Sequence, residues 1–258
     1  MKTLLFDTHA HLDDVKFDAD REAVIQKIID SGVGRVVNIG ADMESSKMSI
    51  QLAEKYDFIY AAVGVHPHDA ENMTDDDLLT IEKWAAHPKV VAIGEIGLDY
   101  FYDNSPREKQ RYWFEKQLFL AEKLDKPVII HDRDAHGDTL EILGKSKAKG
   151  IVHCFSGSVE MAKQIVDMGF YISFAGPLTY KNSRHAVEVA RVMPIDKILI
   201  ETDCPYLSPD GHRGQRNDSS LVRLVCEKLA EIRGISFEEA AKITYQNAER
   251  VYRLDNNL

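Results

Sequence analysis

The fold is decided by residues 3–11, TLLFDTHAH, in which a short apolar run gives way to two histidines. Successive side chains of a β-strand point to opposite faces, so His9 and His11 project to the same side. Asp7 shares that parity one step earlier, where a carboxylate can orient a ligand histidine. The stretch therefore predicts a strand whose end contributes two imidazoles to one divalent metal ion.

Seven further β-like runs follow, separated by helix-like segments. All eight are rich in Val and Ile with little polar alternation, as expected of strands buried on both faces. Repeated strand–helix alternation predicts parallel strands with helical crossovers, and eight units close most simply into a (β/α)8 TIM barrel. The predicted strands are Leu4–Thr8, Arg35–Gly40, Phe58–Val65, Val90–Ile96, Pro127–His131, Gly150–Phe155, Phe170–Ala175 and Lys197–Asp203.

An open doubly wound sheet is the alternative fold. Such a sheet usually carries a Gly-rich phosphate-binding turn after its first strand. This chain has Thr8-His9-Ala10-His11 at that place. We therefore predict an α/β barrel that forms a single domain over residues 1–258.

Length and composition limit the class of protein. The 258 residues are 44% hydrophobic, which suits one globular barrel. No apolar stretch approaches the roughly 20 residues that span a bilayer, and no secretory signal pattern precedes the first strand. Three cysteines form no paired framework, which fits a reducing compartment. These features predict a cytoplasmic monomer with no membrane partner.

The formal net charge of −10 bears on any nucleic-acid partner. It opposes non-specific binding to a polyanion, so local cations and bound metal would have to overcome the repulsion. Contact with a strand end or a short oligonucleotide fits this charge better than a long duplex interface.

Five of the eight predicted strands carry ionisable ligands at their C-terminal ends. In a closed barrel these ends converge on one mouth, where barrel enzymes place their chemistry. A stable core gains nothing from repeated ionisable groups, so the set predicts a metal centre rather than packing. The candidate ligands are His9, His11, Glu95, His131, His153 and Asp203.

Six ligands exceed the need of one tetrahedral ion and predict two divalent ions bridged by Glu95. His9, His11 and Asp203 come from strands that are neighbours after closure and would form one site, with His131 and His153 at the other. Zn, Mn, Fe, Ni or Co suit these ligands, and Mg is less favoured by histidine. Two ions about 3.5–4 Å apart can clamp an in-line displacement at phosphorus. Asp203 is also placed to accept a proton from the attacking water.

Secondary candidates follow three of these strands. His66 either hydrogen-bonds a phosphate or caps its loop, and His68 reads as structural or solvated. One interpretation of Asp99 is that it orients a water molecule or a ligand histidine, and the alternative is that it orients neither. Arg133 shares the side of His131 on an extended chain, where a guanidinium either forks onto a phosphate or pairs with an acid.

The loop after the eighth strand contains His212, Arg213 and Arg216. A basic patch there would supply the local positive charge that an acidic protein needs in order to bind a polyanion. The alternative is a loop that is only solvated. The aromatic residues 100–102 either stack on bases of single-stranded DNA or pack over the barrel mouth, and packing is the favoured reading.

An ordered set of motifs spans nearly the whole chain. It comprises DTHAH (7–11), GVHPH (64–68), GEIGLDY (94–100), IHDR (130–133), HCFSG (153–157), ETDCPY (201–206), HRG (212–214) and RN (216–217). This set resembles the TatD family of metal-dependent deoxyribonucleases, within the amidohydrolase-like barrels.

The resemblance implies a barrel, a divalent-metal centre and hydrolysis of DNA phosphodiesters, with 3′→5′ exonuclease activity among members. DNA, single-stranded or at a 3′ end, is therefore the expected partner. Motif by motif, the family's metal positions fall on the same six ligands reached above, with no departure.

Two other functions are compatible with the ligands alone. One is an amidohydrolase or lactonase, although many such barrels bridge their metals with a modified Lys where this chain has Glu95. The other is a metal-dependent protein that binds nucleotides or a partner protein without catalysis.

Overall fold

The computed structural model describes residues 4–254 and contains eight parallel strands paired in sequence order. The barrel is closed between its first and last strands by backbone contacts. Ala10 bridges to Cys204, the His11 N–H donates to the Cys204 carbonyl at 2.8 Å, and the Asp203 N–H donates to the His9 carbonyl at 2.9 Å. The predicted (β/α)8 barrel is confirmed. The ends of the predicted 1–258 domain, residues 1–3 and 255–258, lie outside the described residues.

The strands and helices alternate along the chain, and the last helix follows directly on another. The strands are β1 Leu5–Ala10, β2 Val33–Ile39, β3 Ile59–Val63, β4 Val90–Asp99, β5 Val128–Arg133, β6 Gly150–Val152, β7 Tyr171–Phe174 and β8 Ile198–Ile200. The helices are α1 Arg21–Ser31, α2 Met43–Lys55, α3 Asp75–Trp84, α4 Arg107–Leu124, α5 His136–Lys145, α6 Val159–Asp167, α7 Arg184–Val192, α8 Val222–Arg233 and α9 Phe237–Tyr252. None of the helices within residues 4–254 is both long and apolar enough to cross a bilayer.

Local sequence explains several helix boundaries. Asp42 and Thr74 each accept from the backbone three residues on and complete capping boxes that start α2 and α3. Gly32, at φ 95°, ends α1 in the left-handed conformation that glycine adopts without a steric penalty. These caps orient the helices that cover the sheet.

All eight strands end one to three residues away from the predicted positions, and the differences at β4 and β8 shape the mouth. β4 runs on to Asp99, which pairs with Arg133, because Gly97 lets the chains approach closely: a Cβ there would lie 2.0 Å from the His131 carbonyl oxygen. β8 stops at Ile200, since Asp203 turns out of the ladder at φ 55°. Asp99 therefore lies on an extension of β4 and Asp203 on the turn after β8, whereas Glu95 lies within β4 as predicted.

Candidate metal centre

Glu95 lies at the middle of the mouth, and one of its carboxylate oxygens faces three imidazoles. Oε1 is 2.8 Å from His153 Nε2, 2.9 Å from His131 Nδ1 and 3.5 Å from His66 Nε2. All of these rings are buried or nearly so. β3, β4, β5 and β6 thus deliver one donor group each to a common point.

The other oxygen of Glu95 faces the donors from the ends of β1 and β8. Oε2 is 3.4 Å from His9 Nε2 and 3.8 Å from His11 Nε2. Asp203 Oδ1 lies 3.4 Å from His11 Nε2 and 3.6 Å from His9 Nε2. The structure therefore brings all six predicted ligands together, and Glu95 lies between their two halves.

Three groups of these donors are compact enough to hold a cation. Within each group the ligand atoms lie within 4.8 Å of one another. The groups are His9–Glu95–His153, His9–His11–Asp203 and His66–Glu95–His131. His66, predicted only as a substrate contact or a cap, is thereby also a candidate ligand.

We call these donor residues, together with Glu95, the cage: His9, His11, His66, Glu95, His131, His153 and Asp203. The hydrogen bonding of His11 tests whether this cage fits a metal ion. His11 Nδ1 lies 2.9 Å from the Ile39 carbonyl oxygen, which can only accept, so Nδ1 carries a proton. In the neutral ring, Nε2 then presents a lone pair to Asp203, to Glu95 and to His9 Nε2 at 3.1 Å. Only a proton or a cation makes that arrangement favourable, so the donor set fits a divalent metal.

The pKa values of the cage follow from the same charges. Burial pushes the pKa of Glu95 upward, but the surrounding imidazoles outweigh it and hold that pKa well below its usual range. Burial lowers the pKa of His11, yet its hydrogen bond to Asp203 and the nearby charges raise it to about 9. Glu95 and Glu201 likewise outweigh burial at His153 and raise its pKa well above the usual range. The acids stay ionised and attract positive charge, which metal binding supplies in place of protons.

Asp99 connects the cage to the loop that follows β4. Its Oδ2 lies 3.1 Å from His131 Nε2 and 2.9 Å from His68 Nε2. Its Oδ1 accepts from the backbone N–H groups of Phe101 and Tyr102 at 3.0 and 2.9 Å. Asp99 therefore orients His131, a candidate ligand, and also holds the backbone of the aromatic residues beside it.

Two further residues support the cage without having been proposed from the sequence as part of the site. Glu201, fully buried, lies 3.3 Å from His153 Nδ1 and accepts from the Cys154 N–H at 2.9 Å. His68 Nε2 lies 2.9 Å from Asp99 Oδ2, which agrees with the structural one of its two predicted roles. The adjacency of Glu201 to the ligand Asp203 was the available sequence signal, whereas His68 depends on a loop path that no periodicity encodes.

The predicted role of Asp7 in orienting a ligand ring is wrong. Its carboxylate accepts from the Thr202 N–H at 2.9 Å and from the Thr202 hydroxyl at 2.6 Å, and it reaches only the backbone N–H of His9. The register of β1 against β2 shifts between Asp7 and Ala10, so strict side-chain alternation fails there. Asp7 instead ties β1 to the end of β8, and His9 Nδ1 has no hydrogen-bond partner among residues 4–254.

The predicted cationic contacts lie around the rim of the mouth. The Arg133 guanidinium lies 4.1 Å from the Phe101 ring centroid, and that of Arg213 lies 4.6 Å from the Tyr180 centroid. Arg216 is bonded to Asp20 at 2.6 and 2.8 Å, and His212 is half-buried in a turn closed by its own backbone. Substrate binding by these residues stays a prediction.

Comparison with known proteins matches the whole barrel. The family model described as TatD related DNase matches residues 6–253. The chain is 47% identical over 255 residues to the uncharacterized metal-dependent hydrolase YabD of Bacillus subtilis, covering 98% of this chain and 100% of that protein. It is 36% identical to the uncharacterized metal-dependent hydrolase TatD of Mycobacterium tuberculosis, covering 97% and 98%.

Solved structures agree with this assignment. The TatD homologue YjjV from Escherichia coli superposes with a TM-score of 0.92 at 33% identity, covering 98% of this chain and 99% of that one. A TatD family hydrolase from Entamoeba histolytica gives a TM-score of 0.85 at 27% identity, with 98% and 99% covered. This chain belongs to the TatD family of metal-dependent hydrolases.

Proposed function

We propose that this hydrolase cleaves DNA phosphodiester bonds from the 3′ end of an unpaired strand and uses two divalent ions. The observation that carries the proposal is the position of Glu95, whose two oxygens face separate groups of imidazoles. A carboxylate between two cation sites suits displacement at phosphorus, where attacking and leaving oxygens both need stabilisation. The family description as a DNase supports the same substrate.

The side chains of the cage divide this work. Bound divalent ions would supply activation of water and neutralisation of phosphate charge. His9, His11 and Asp203 would hold one ion, while His131 and His153, with His66, would hold the other. Asp203 is 15% exposed at the side chain, which leaves it open to accept a proton from water at the mouth.

Exposed aromatic residues support an unpaired strand as substrate. Phe101 and Tyr102 are each 55% exposed, although packing over the mouth was the favoured reading of this run. Arg133 lies over both rings, at 4.1 and 4.7 Å from their centroids. These rings are open to solvent, and Asp99 holds the backbone that carries them, so they are suited to stack on bases, while the adjacent guanidinium favours the phosphate backbone.

The test is metal depletion followed by add-back of Zn, Mn, Co, Ni or Mg. Single-stranded DNA labelled at the 5′ end should yield a ladder that shortens stepwise, and phosphorothioate linkages at the 3′ end should block it. Parallel assays on small esters and lactones address the amidohydrolase alternative. Hydrolysis of those substrates with no DNA cleavage under any metal would contradict the proposal, as would tight oligonucleotide binding without cleavage.

A further inference from the structure

A pocket of about 450 Å³ opens beside the metal centre and is walled by the segment after β8. Its lining includes Tyr206, Arg213, Lys16 and Tyr180. The Tyr206 ring is 6.5 Å from the ring of His11, so the pocket begins next to the cage. A ligand bound at the metals can therefore continue into it.

A second pocket of about 430 Å³ adjoins the first and shares Arg213 with it. Its other lining residues are Lys181, Asn182, Arg184 and Asp210. Hydrogen bonds support both linings: the Tyr180 hydroxyl donates to the Ser208 carbonyl at 2.9 Å within the first pocket, and the Asp210 N–H, beside the second, donates to Thr179 Oγ1 at 2.7 Å. Because Arg213 lines both pockets, they form one continuous cleft.

The positive charge of this cleft is concentrated at its outer part. Near the cage, Arg216 is paired with Asp20, and the Lys16 ammonium lies 4.0 Å from the centroid of the Tyr206 ring. Farther out, the Arg213 guanidinium lies against the face of Tyr180 and forms no ion pair within residues 4–254.

Lys181 and Arg184 are exposed at the outer end, and within residues 4–254 neither side chain forms an ion pair. Asp210 is the acid that lines the same pocket. Three cations against one acid give a local positive excess on a chain whose net charge is −10.

We propose that this cleft is a strand-binding track, in which Arg213, Lys181 and Arg184 contact backbone phosphates of the part of an oligonucleotide that leads away from the metal centre. The substrate class rests on the proposed function, but the residues and the path do not. Concave walls with unpaired cations favour a flexible polyanion, because each phosphate contact releases condensed counterions. The track also explains how an acidic protein can hold DNA without a basic surface overall.

The test measures binding of a fluorescein-labelled, fully phosphorothioate-linked oligothymidylate of about twelve nucleotides, within the length that single-strand grooves cover. In the presence of Mn, log Kd is followed against log salt concentration. Lys181→Gln with Arg184→Gln should lower the salt slope by about 1.4, since each lost single-strand phosphate contact removes about 0.7. The matched pair Lys47→Gln with Lys242→Gln, exposed on α2 and α9, should leave the slope unchanged.

Two outcomes would overturn the track: no measurable binding of this probe by the wild-type protein, or an unchanged slope in a Lys181→Gln, Arg184→Gln protein with a native circular dichroism spectrum. Failure of the proposed function is distinguishable. If the wild-type protein cleaves no DNA but the double variant still lowers the salt slope, the proposed nuclease activity is rejected and the strand-binding track is supported.

Discussion

Charged side chains have different kinds of partner at the two ends of the barrel. At the end where the strands begin, cations are satisfied by the chain itself: Lys89 Nζ donates to the Asp57 carbonyl at 2.6 Å, and Arg35 pairs with Glu249 at 2.9 Å. At the mouth, Glu95 and Asp203 face imidazoles instead, and His11 Nε2 is held toward both acids by the contact of Nδ1 with the Ile39 carbonyl.

This difference separates charge that serves stability from charge that serves an external ligand. Residues at the first end have their hydrogen-bond or ion-pair partners within the protein, so removing one should lower the free energy of unfolding and leave hydrolysis unchanged. Residues at the mouth become fully satisfied only when a cation binds.

Glu95→Gln should reduce hydrolysis of single-stranded DNA by roughly 10³-fold with the fold retained. The substitution removes the charge shared by both halves of the cage, and metal ions supply several kcal/mol at about 1.4 kcal/mol per tenfold in rate. Turnover with saturating Mn and circular dichroism are the measurements. Glu249→Gln at the opposite end is the matched control and should keep full activity; equal activity of both variants would contradict the assignment.

Asp99→Asn should lower metal affinity or activity by roughly 10- to 100-fold, the usual cost of losing a hydrogen-bonded partner of a metal ligand. The carboxylate orients His131, and an amide of the same shape lacks its charge. Isothermal titration with Mn gives the affinity. Asp138→Asn, which contacts the Tyr100 hydroxyl on the outside of the same loop, is the control. Equal metal affinities of the two variants would show that Asp99 does not support the ligand.

Phe101→Ala with Tyr102→Ala should raise KM for single-stranded DNA roughly tenfold, because stacking of a base on a ring contributes about 1–3 kcal/mol. Hydrolysis of bis(p-nitrophenyl) phosphate, which has no base to stack, should change less. The control pair Tyr112→Ala with Phe119→Ala removes two exposed rings from α4. A rise of the same size in the control would mean that the effect is not specific to the mouth.

Much of the barrel and of its mouth could be predicted from the sequence, because a strand in such a barrel ends where an apolar run meets a polar residue. The eight strands and the convergence of His9, Glu95 and His153 follow from that rule. The contact of Glu201 with His153 was signalled only by its place two residues before Asp203, and the contact of His68 with Asp99 depends on a loop path that no periodicity encodes. Asp7 was misread for a related reason: the alternation rule holds for a regular strand, and β1 changes register at that residue.

Arg35→Met should have the smallest effect, lowering the free energy of unfolding by about 1 kcal/mol with activity unchanged. Both side chains of the Arg35–Glu249 pair are 15% exposed, which places the pair between a solvent-screened surface pair and a buried one. Methionine keeps the apolar contacts of the arginine stem, so the loss stays near the lower value. Urea denaturation with a parallel nuclease assay measures both quantities. Loss of activity at intact stability would show that the two ends of the barrel are coupled.

The most direct measurement is anomalous diffraction from crystals soaked with zinc. We predict two anomalous peaks, each about 2.0–2.2 Å from a carboxylate oxygen of Glu95. One peak should also lie within that distance of the donor atoms of His9, His11 and Asp203. The other should lie within that distance of the donor atoms of His131 and His153. Anomalous density that lies elsewhere on the molecule, with Glu95 and its imidazoles left paired to one another, would contradict this prediction.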